Sequence, residues 1–270
     1  MKHLSGSSWL LLALALFCGC GGGKKISGPP SDPPADPVGN WQFSTKSTAE
    51  FPPMTIAGSI AQSGASLSGG VHVGGSHCFD PLTTVGLTGS VDRTSISMTS
   101  AQIAGQVISF RGSITENPLT RAADFTGTYS IQGGCADGDQ GNVTGNNIPF
   151  IANVLNGTFT SSKGDTFDVA ADVAQNSHPS SAGNFGITGT VTFTKPCFSS
   201  GTIMSGTFPA GSYLIGTSLA LEIETDNGIL AFHGTLDPDK AEITGDYTVS
   251  GSICDQTGTG VLHGSSPWDY

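Results

Sequence analysis

Phe125-Thr126-Gly127-Thr128-Tyr129-Ser130-Ile131 leads into Cys135, and the same pattern returns as Ile243-Thr244-Gly245-Asp246-Tyr247-Thr248-Val249 ahead of Cys254. In the first copy Phe125, Gly127, Tyr129 and Ile131 fall on one face, and Thr126, Thr128 and Ser130 on the other. A period of two is that of a half-buried β-strand. Its recurrence marks a tandem duplication, so the chain holds two copies of one β-domain.

Gly contributes 39 of 270 residues and charged residues 11%. Long helices draw on Ala, Leu, Glu, Lys and Arg, and the body of the chain has no such run. Short strands separated by Gly, Ser, Asn and Asp turns fit the composition. From Asn40 onward there are 7 Lys+Arg against 19 Asp+Glu. A phosphate-binding surface needs clustered cations, and no cluster is present, so nucleic acid is not expected as a partner. Any electrostatic partner would be a cation or a basic surface; acidity that keeps a secreted protein soluble is the plainer account.

Residues 1–20 read as an export signal. Lys2 supplies a positive start, and Trp9 to Phe17 (WLLLALALF) is apolar. That run is too short for a bilayer, which needs about 20 residues, but suits a signal-peptide core. Phe17-Cys18-Gly19-Cys20 follows and resembles the bacterial lipoprotein signal, in which a cysteine after a small residue is acylated and becomes the new N-terminus. The resemblance implies that Cys20 carries the lipid, that membrane lipid is a partner through it, and, with Gly21 next, that the outer membrane is the destination. Residues 21–39 (GGGKKISGPPSDPPADPVG) cannot form a core and read as a tether stiffened by proline. Extended, it reaches on the order of 50 Å from the lipid.

Domain 1 is expected over 40–150, with strands at 41–45, 55–62, 66–73, 85–91, 95–102, 107–114, 124–132 and 141–145. Domain 2 is expected over 151–270. Thr190-Val191-Thr192-Phe193 answers Gly70-Val71-His72-Val73, Leu230-Ala231-Phe232-His233-Gly234 answers Ile108-Ser109-Phe110-Arg111-Gly112, and Gly260-Val261-Leu262-His263-Gly264 answers Gly141-Asn142-Val143-Thr144-Gly145. A period near 119 residues is that of a whole domain copied once, not of a solenoid. The fold class is therefore all-β: two tandem antiparallel up-and-down barrels, or flattened barrels or sandwiches, of about eight short strands each. The tail Pro267-Trp268-Asp269-Tyr270 lies outside the repeat, and Trp268 is a candidate either to plug a barrel end or to pack between the domains.

Beyond Cys18 and Cys20, the cysteines are Cys78, Cys135, Cys197 and Cys254, separated by 57 residues within each copy. Duplication selects Cys78–Cys135 and Cys197–Cys254, because each copy must once have folded alone, and export provides an oxidising compartment. With up-and-down strands, both cysteines of a copy lie at one rim. In a closed barrel strands three and seven are far apart, yet bridged Cα atoms lie within about 7 Å. Either the loop after strand three leans over the mouth, or the unit is flattened. The cysteines lack the close pairing of zinc sites, and no metal or cofactor is expected.

Gly39-Asn40-Trp41 opens the first copy and Gly157-Thr158-Phe159 the second. A Gly-x-Trp on the first strand is similar to the opening of the calycins, the lipocalin and avidin barrels. The resemblance implies an eight-stranded up-and-down barrel with the tryptophan closing one end, and no particular ligand.

Inward positions on the best strands are apolar or glycine, apart from the hydroxyls of Tyr129 and Tyr247, which are the candidate ligand-lining residues if the interiors are hollow. A filled core is the plainer expectation. Glu222, Glu224 and Asp226 form an outward acidic line that does not converge as Ca²⁺ requires. Asp137-Gly138-Asp139-Gln140-Gly141 lacks the distal Glu of a calcium loop and reads as a turn. His72, His77, His178, His233 and His263 do not cluster and read as surface residues. No catalytic residue is assigned, since nucleophile-elbow, zinc-helix, phosphate-loop and dinucleotide motifs are all absent. The expectation is a lipid-anchored, non-enzymatic binding or structural module of the bacterial envelope. A calycin-like binder of a small apolar ligand is the alternative, with a protein partner as the other candidate, and an envelope-polymer hydrolase is third.

Overall fold

The computed structural model describes residues 36–49, 51–80, 83–116, 122–195, 198–251 and 256–264. The expected signal with Cys20, most of the expected tether, Cys197, Cys254 and Trp268 lie outside the described residues. Among the described residues there is no helix. The chain forms two closed antiparallel eight-stranded barrels in tandem.

Barrel one is a simple ring: β1 (Gly39–Ser47), β2 (Thr55–Ser63), β3 (Ser66–Gly74), β4 (Thr84–Asp92), β5 (Ser95–Ser100), β6 (Val107–Glu116), β7 (Ala123–Gln132) and β8 (Gln140–Ile148). Each strand pairs with the next, and β1 closes on β8 with Phe43 opposite Gly145. All eight overlap the strands expected from the alternation. Closure leaves no free edge, and it settles the choice between barrel and sandwich.

The inward residues fill the barrel. Trp41, Phe43, Phe110 and Phe125 are fully buried. The Trp41 and Phe43 rings stack at 5.4 Å, and Phe125 meets Phe43 edge-on at 5.7 Å. The Trp41 indole N–H donates to the Pro37 carbonyl at 2.8 Å, which seals the N-terminal rim. Two inward glycines face one another across β6 and β7. A Cβ on Gly112 would lie 2.7 Å from the Gly127 Cα, and one on Gly127 would lie 2.2 Å from the Arg111 carbonyl oxygen. The backbones approach so closely there that neither position accepts a side chain.

The opposite rim is capped. After β3 the chain leans over the mouth, so that Phe79 joins the core at 4% exposure. There Cys78 bridges Cys135, from the turn after β7, with Cα atoms 5.5 Å apart. Gln106, fully buried, holds both loops: its amide N–H donates to the Cys78 carbonyl at 3.1 Å, and its Oε1 accepts the Ala136 N–H at 2.8 Å.

Barrel two contains β9 (Ala152–Ser161), β10 (Thr166–Gln175), β11 (Phe185–Lys195), β12 (Phe198–Ile203), β13 (Tyr213–Ile215), β14 (Ser218–Thr225), β15 (Gly228–Asp237), β16 (Glu242–Ser250) and β17 (Gln256–Gly264). The count of nine hides an eight-strand ring, because β12 and β13 share one place. Both pair antiparallel with β11 on one side and β14 on the other. Between them residues 204–212 leave the sheet. At the gap backbone and side chain share the bridging: the Met204 N–H donates to the Glu222 carbonyl at 2.8 Å, and Ser212 Oγ accepts the Glu222 N–H at 2.7 Å and donates to the Glu222 carbonyl at 3.2 Å.

The two barrels also differ in register. The cross-strand row Tyr129–Gly141–Ser47 corresponds to Tyr247–Gly258–Ser161. The counterpart of Trp41 is therefore Leu155, and Phe159 takes the place of Thr45. The sequence match of Gly157-Thr158-Phe159 to Gly39-Asn40-Trp41, and that of Gly260 to Gly141, are corrected by these pairings. The glycine pair is kept, as Gly234 opposite Gly245.

Candidate functional site

The outer face of a barrel strand is normally polar and wet, yet Asn40, Ala57 and Ser59 on β1 and β2 are buried. They are covered by barrel two. Asn40 grips the turn after β13: its Nδ2–H donates to the Gly216 carbonyl at 2.9 Å, and its Oδ1 accepts the Gly216 N–H at 2.7 Å. Gly216 has φ +53°, and a Cβ there would lie 2.2 Å from Gln42 Oε1, so the turn requires glycine. Gln42 Oε1 accepts the Thr217 N–H at 3.2 Å. Buried apolar contact comes from Ala57, Tyr213, Ile215 and Ala220.

Beside this seam lies a cleft of about 470 Å³. Two cross-strand rows form its walls. Gln42, Ala57 and His72 run across β1, β2 and β3. Tyr213, Ala220 and His233 run across β13, β14 and β15. Each row is alanine at its centre and ends in a histidine. Small central residues let the two sheets meet, and the larger flanking residues hold the cleft open. Phe208, on the excursion between β12 and β13, stands over one end. Its ring lies 4.8 Å from that of His72 and meets Tyr213 edge-on at 5.5 Å. Burial lowers the His72 pKa, opposed by the nearby carboxylate of Asp80. Burial raises the pKa of the Tyr213 phenol. His72 is half-buried, contrary to its reading as a surface histidine, whereas His77, His178, His233 and His263 are exposed.

A second polar cluster lies inside the capped end of barrel one. Asp139 is 1% exposed. The Tyr129 hydroxyl donates to its two carboxylate oxygens at 3.1 and 3.0 Å, and the Ser47 hydroxyl donates to one at 2.6 Å. The turn expected at 137–141 is present, but its second carboxylate points inward as the partner of a core tyrosine. Burial raises the Tyr129 pKa, partly offset by the hydroxyl of Ser47 and reinforced by Asp139. Among the described residues barrel two has no such network. Phe159 there packs on Tyr247 at 5.0 Å and Phe167 meets it edge-on at 5.7 Å. The Tyr247 hydroxyl is buried with no hydrogen-bond partner among the described residues. Its pKa is raised by burial and by the charge of Asp165. Both tyrosines thus stand within packed cores.

His77 stands next to the Cys78–Cys135 bridge, its ring nitrogen and the two sulfurs lying within 4.8 Å of one another. The sulfurs are bonded to each other and present no thiolate. Glu222 and Glu224 point outward along β14 as expected, and the Glu222 backbone is held by Ser212. Cys197 and Cys254, the second expected bridge, fall outside the described residues.

The cleft was not foreseen, because Asn40, Gln42 and His72 look like any outward polar residues. On β14 one signal is present: Ala220 interrupts an outward row that otherwise carries Ser218, Glu222 and Glu224. No family model matches the chain, and no curated protein or solved structure is significantly similar to it.

Proposed function

We propose that this chain is a lipid-anchored protein of the bacterial envelope, most simply of the outer membrane, whose two barrels form a non-enzymatic binding module. The observation that carries the reading is the cleft. It exists only where the two copies meet, and it joins an aromatic corner to several uncharged polar groups. Pockets of a few hundred Å³ with a few convergent polar groups are the usual form of a binding site. The filled interiors support a site on the outside: an apolar ligand taken up inside barrel one would have to displace Trp41, Phe43 and Phe110, all fully buried. Kinship with calycins is proposed at the level of topology alone.

The anchor is tested by metabolic labelling with radioactive palmitate. The full-length chain takes up label and fractionates with membranes, while Cys20→Ala is unlabelled and soluble. An unlabelled wild type, or a Cys20→Ala variant that still takes up label, overturns the anchored reading. Density separation of the envelope then locates the protein in the outer or inner membrane.

A further inference from the structure

We infer that the inter-barrel cleft binds a neutral carbohydrate of mono- to disaccharide size, an assignment that rests on the cleft being the module's binding site. Two kinds of ligand fit the lining badly. No Asp, Glu, Lys or Arg lines the cleft. An ionic ligand would give up hydration with no opposite charge to meet it, which is costly. A wholly apolar ligand would strip water from the Gln42 amide, the Tyr213 hydroxyl and the hydroxyls of Thr55, Ser218 and Thr235, and give nothing in return. What fits is a molecule with many uncharged hydroxyls and one flat apolar face.

The aromatic corner supplies a surface for that face. Phe208 projects from the excursion and is braced by Tyr213 edge-on and by the His72 ring. An aromatic ring held by its neighbours loses little freedom when a sugar ring lies on it. The hydroxyls of the sugar then point to the two rows, where an amide, a phenol and two imidazoles offer both donors and acceptors. Burial, opposed by the nearby carboxylate of Asp80, lowers the His72 pKa and so favours its uncharged ring. The volume of about 470 Å³ lies in the range of small-molecule sites. The same chemistry belongs to a free sugar and to a segment of a neutral polysaccharide.

The test is a titration of the full-length acylated protein in a detergent without sugar headgroups, by calorimetry and saturation-transfer NMR. The probes are maltose, lactose and chitobiose, each with its longer oligomers, and with glucuronic acid and glucosamine as charged competitors. A neutral probe is expected to bind at millimolar concentration or better, ~1 mM being an ordinary affinity for a shallow site. Phe208→Ala is expected to weaken binding by about tenfold or more. Tyr213→Phe and Gln42→Leu are expected to weaken it several-fold, while Thr128→Ala on the far outer face of barrel one leaves it unchanged. Binding of disaccharides alone assigns a free sugar; binding only of the longer oligomers assigns a polymer segment. The inference is overturned if no neutral probe binds, if a charged competitor binds better, or if binding survives both Phe208→Ala and Tyr213→Phe. Should Phe208→Ala fold poorly, Tyr213→Phe removes a single hydroxyl and decides the matter. Palmitate labelling is read separately, so failure of sugar binding leaves the anchored reading standing, and the reverse holds as well.

Discussion

The same substitution, made at equivalent positions of the two barrels, should have opposite effects. Tyr129→Phe deletes a hydroxyl that donates to both oxygens of a carboxylate 1% exposed. Asp139 then keeps only the Ser47 hydroxyl in place of the two it had. A hydrogen bond to a charged group contributes about 1.5–3 kcal/mol, and a buried charge that loses a partner keeps its desolvation cost. Tyr247→Phe deletes a buried hydroxyl that has no partner among the described residues. It removes a desolvation cost, so the change should be neutral or stabilising by about 1 kcal/mol. The gap between the two variants is then about 3 kcal/mol. Equilibrium urea unfolding, followed by far-ultraviolet circular dichroism, reads this as midpoints separated by roughly 1 M or more, given slopes of about 1–3 kcal/mol/M. High pH adds an independent check. Folding raises both phenol pKa values, so above about pH 10 the unfolded chain releases protons that the native barrels keep. Stability therefore falls as pH rises past that point, and each Phe variant should blunt the fall. If Tyr247→Phe costs as much as Tyr129→Phe, the contrast between a polar and an aromatic barrel end is wrong.

Asn40→Ala strips both partners from the Gly216 peptide groups and should cost about 2 kcal/mol; calorimetry of the full chain should show one transition separating into two as the barrels uncouple. Replacing Cys78 and Cys135 by serine opens a bridge of sequence separation 57 and should cost about 4 kcal/mol in the chain-entropy model, read as a lower unfolding midpoint. His72 is held neutral by burial, so as pH falls below about 6.5 the unfolded chain takes a proton that the native one refuses, and stability drops; His72→Gln should flatten that acid limb in urea unfolding measured between about pH 5 and 7.

The strands of barrel one were legible because alternation reports which face is buried, and a slip of one residue would turn every side chain over. A slip of two or four leaves the alternation unchanged, so the sequence pattern alone matches Phe159 to Trp41, whereas the pairings give it the place of Thr45, four residues on. The disulfide of the first copy was legible from the repeated spacing, and the leaning loop removes the apparent conflict between strands three and seven. The cleft was hidden for a different reason. Asn40 occupies an outward position, where polarity is the same whether water or another barrel lies beyond. From sequence Asp139 reads only as a turn residue, because its inward path depends on the cap that Gln106 and the bridge hold in place.

The interrupted strand of barrel two separates what must stay constant from what is free to vary. Ser212 carries the ladder across the gap, and β12 and β13 enter the ring on either side whatever lies between them. In barrel one the matching β4 runs unbroken, so the fold closes with or without such an excursion. Residues 204–211 thus form a cassette whose length and sequence could be exchanged while the barrel persists. Phe208, which stands over one end of the cleft, belongs to that cassette. Recognition at the seam could accordingly diversify through a single short segment, leaving the scaffold that displays it untouched.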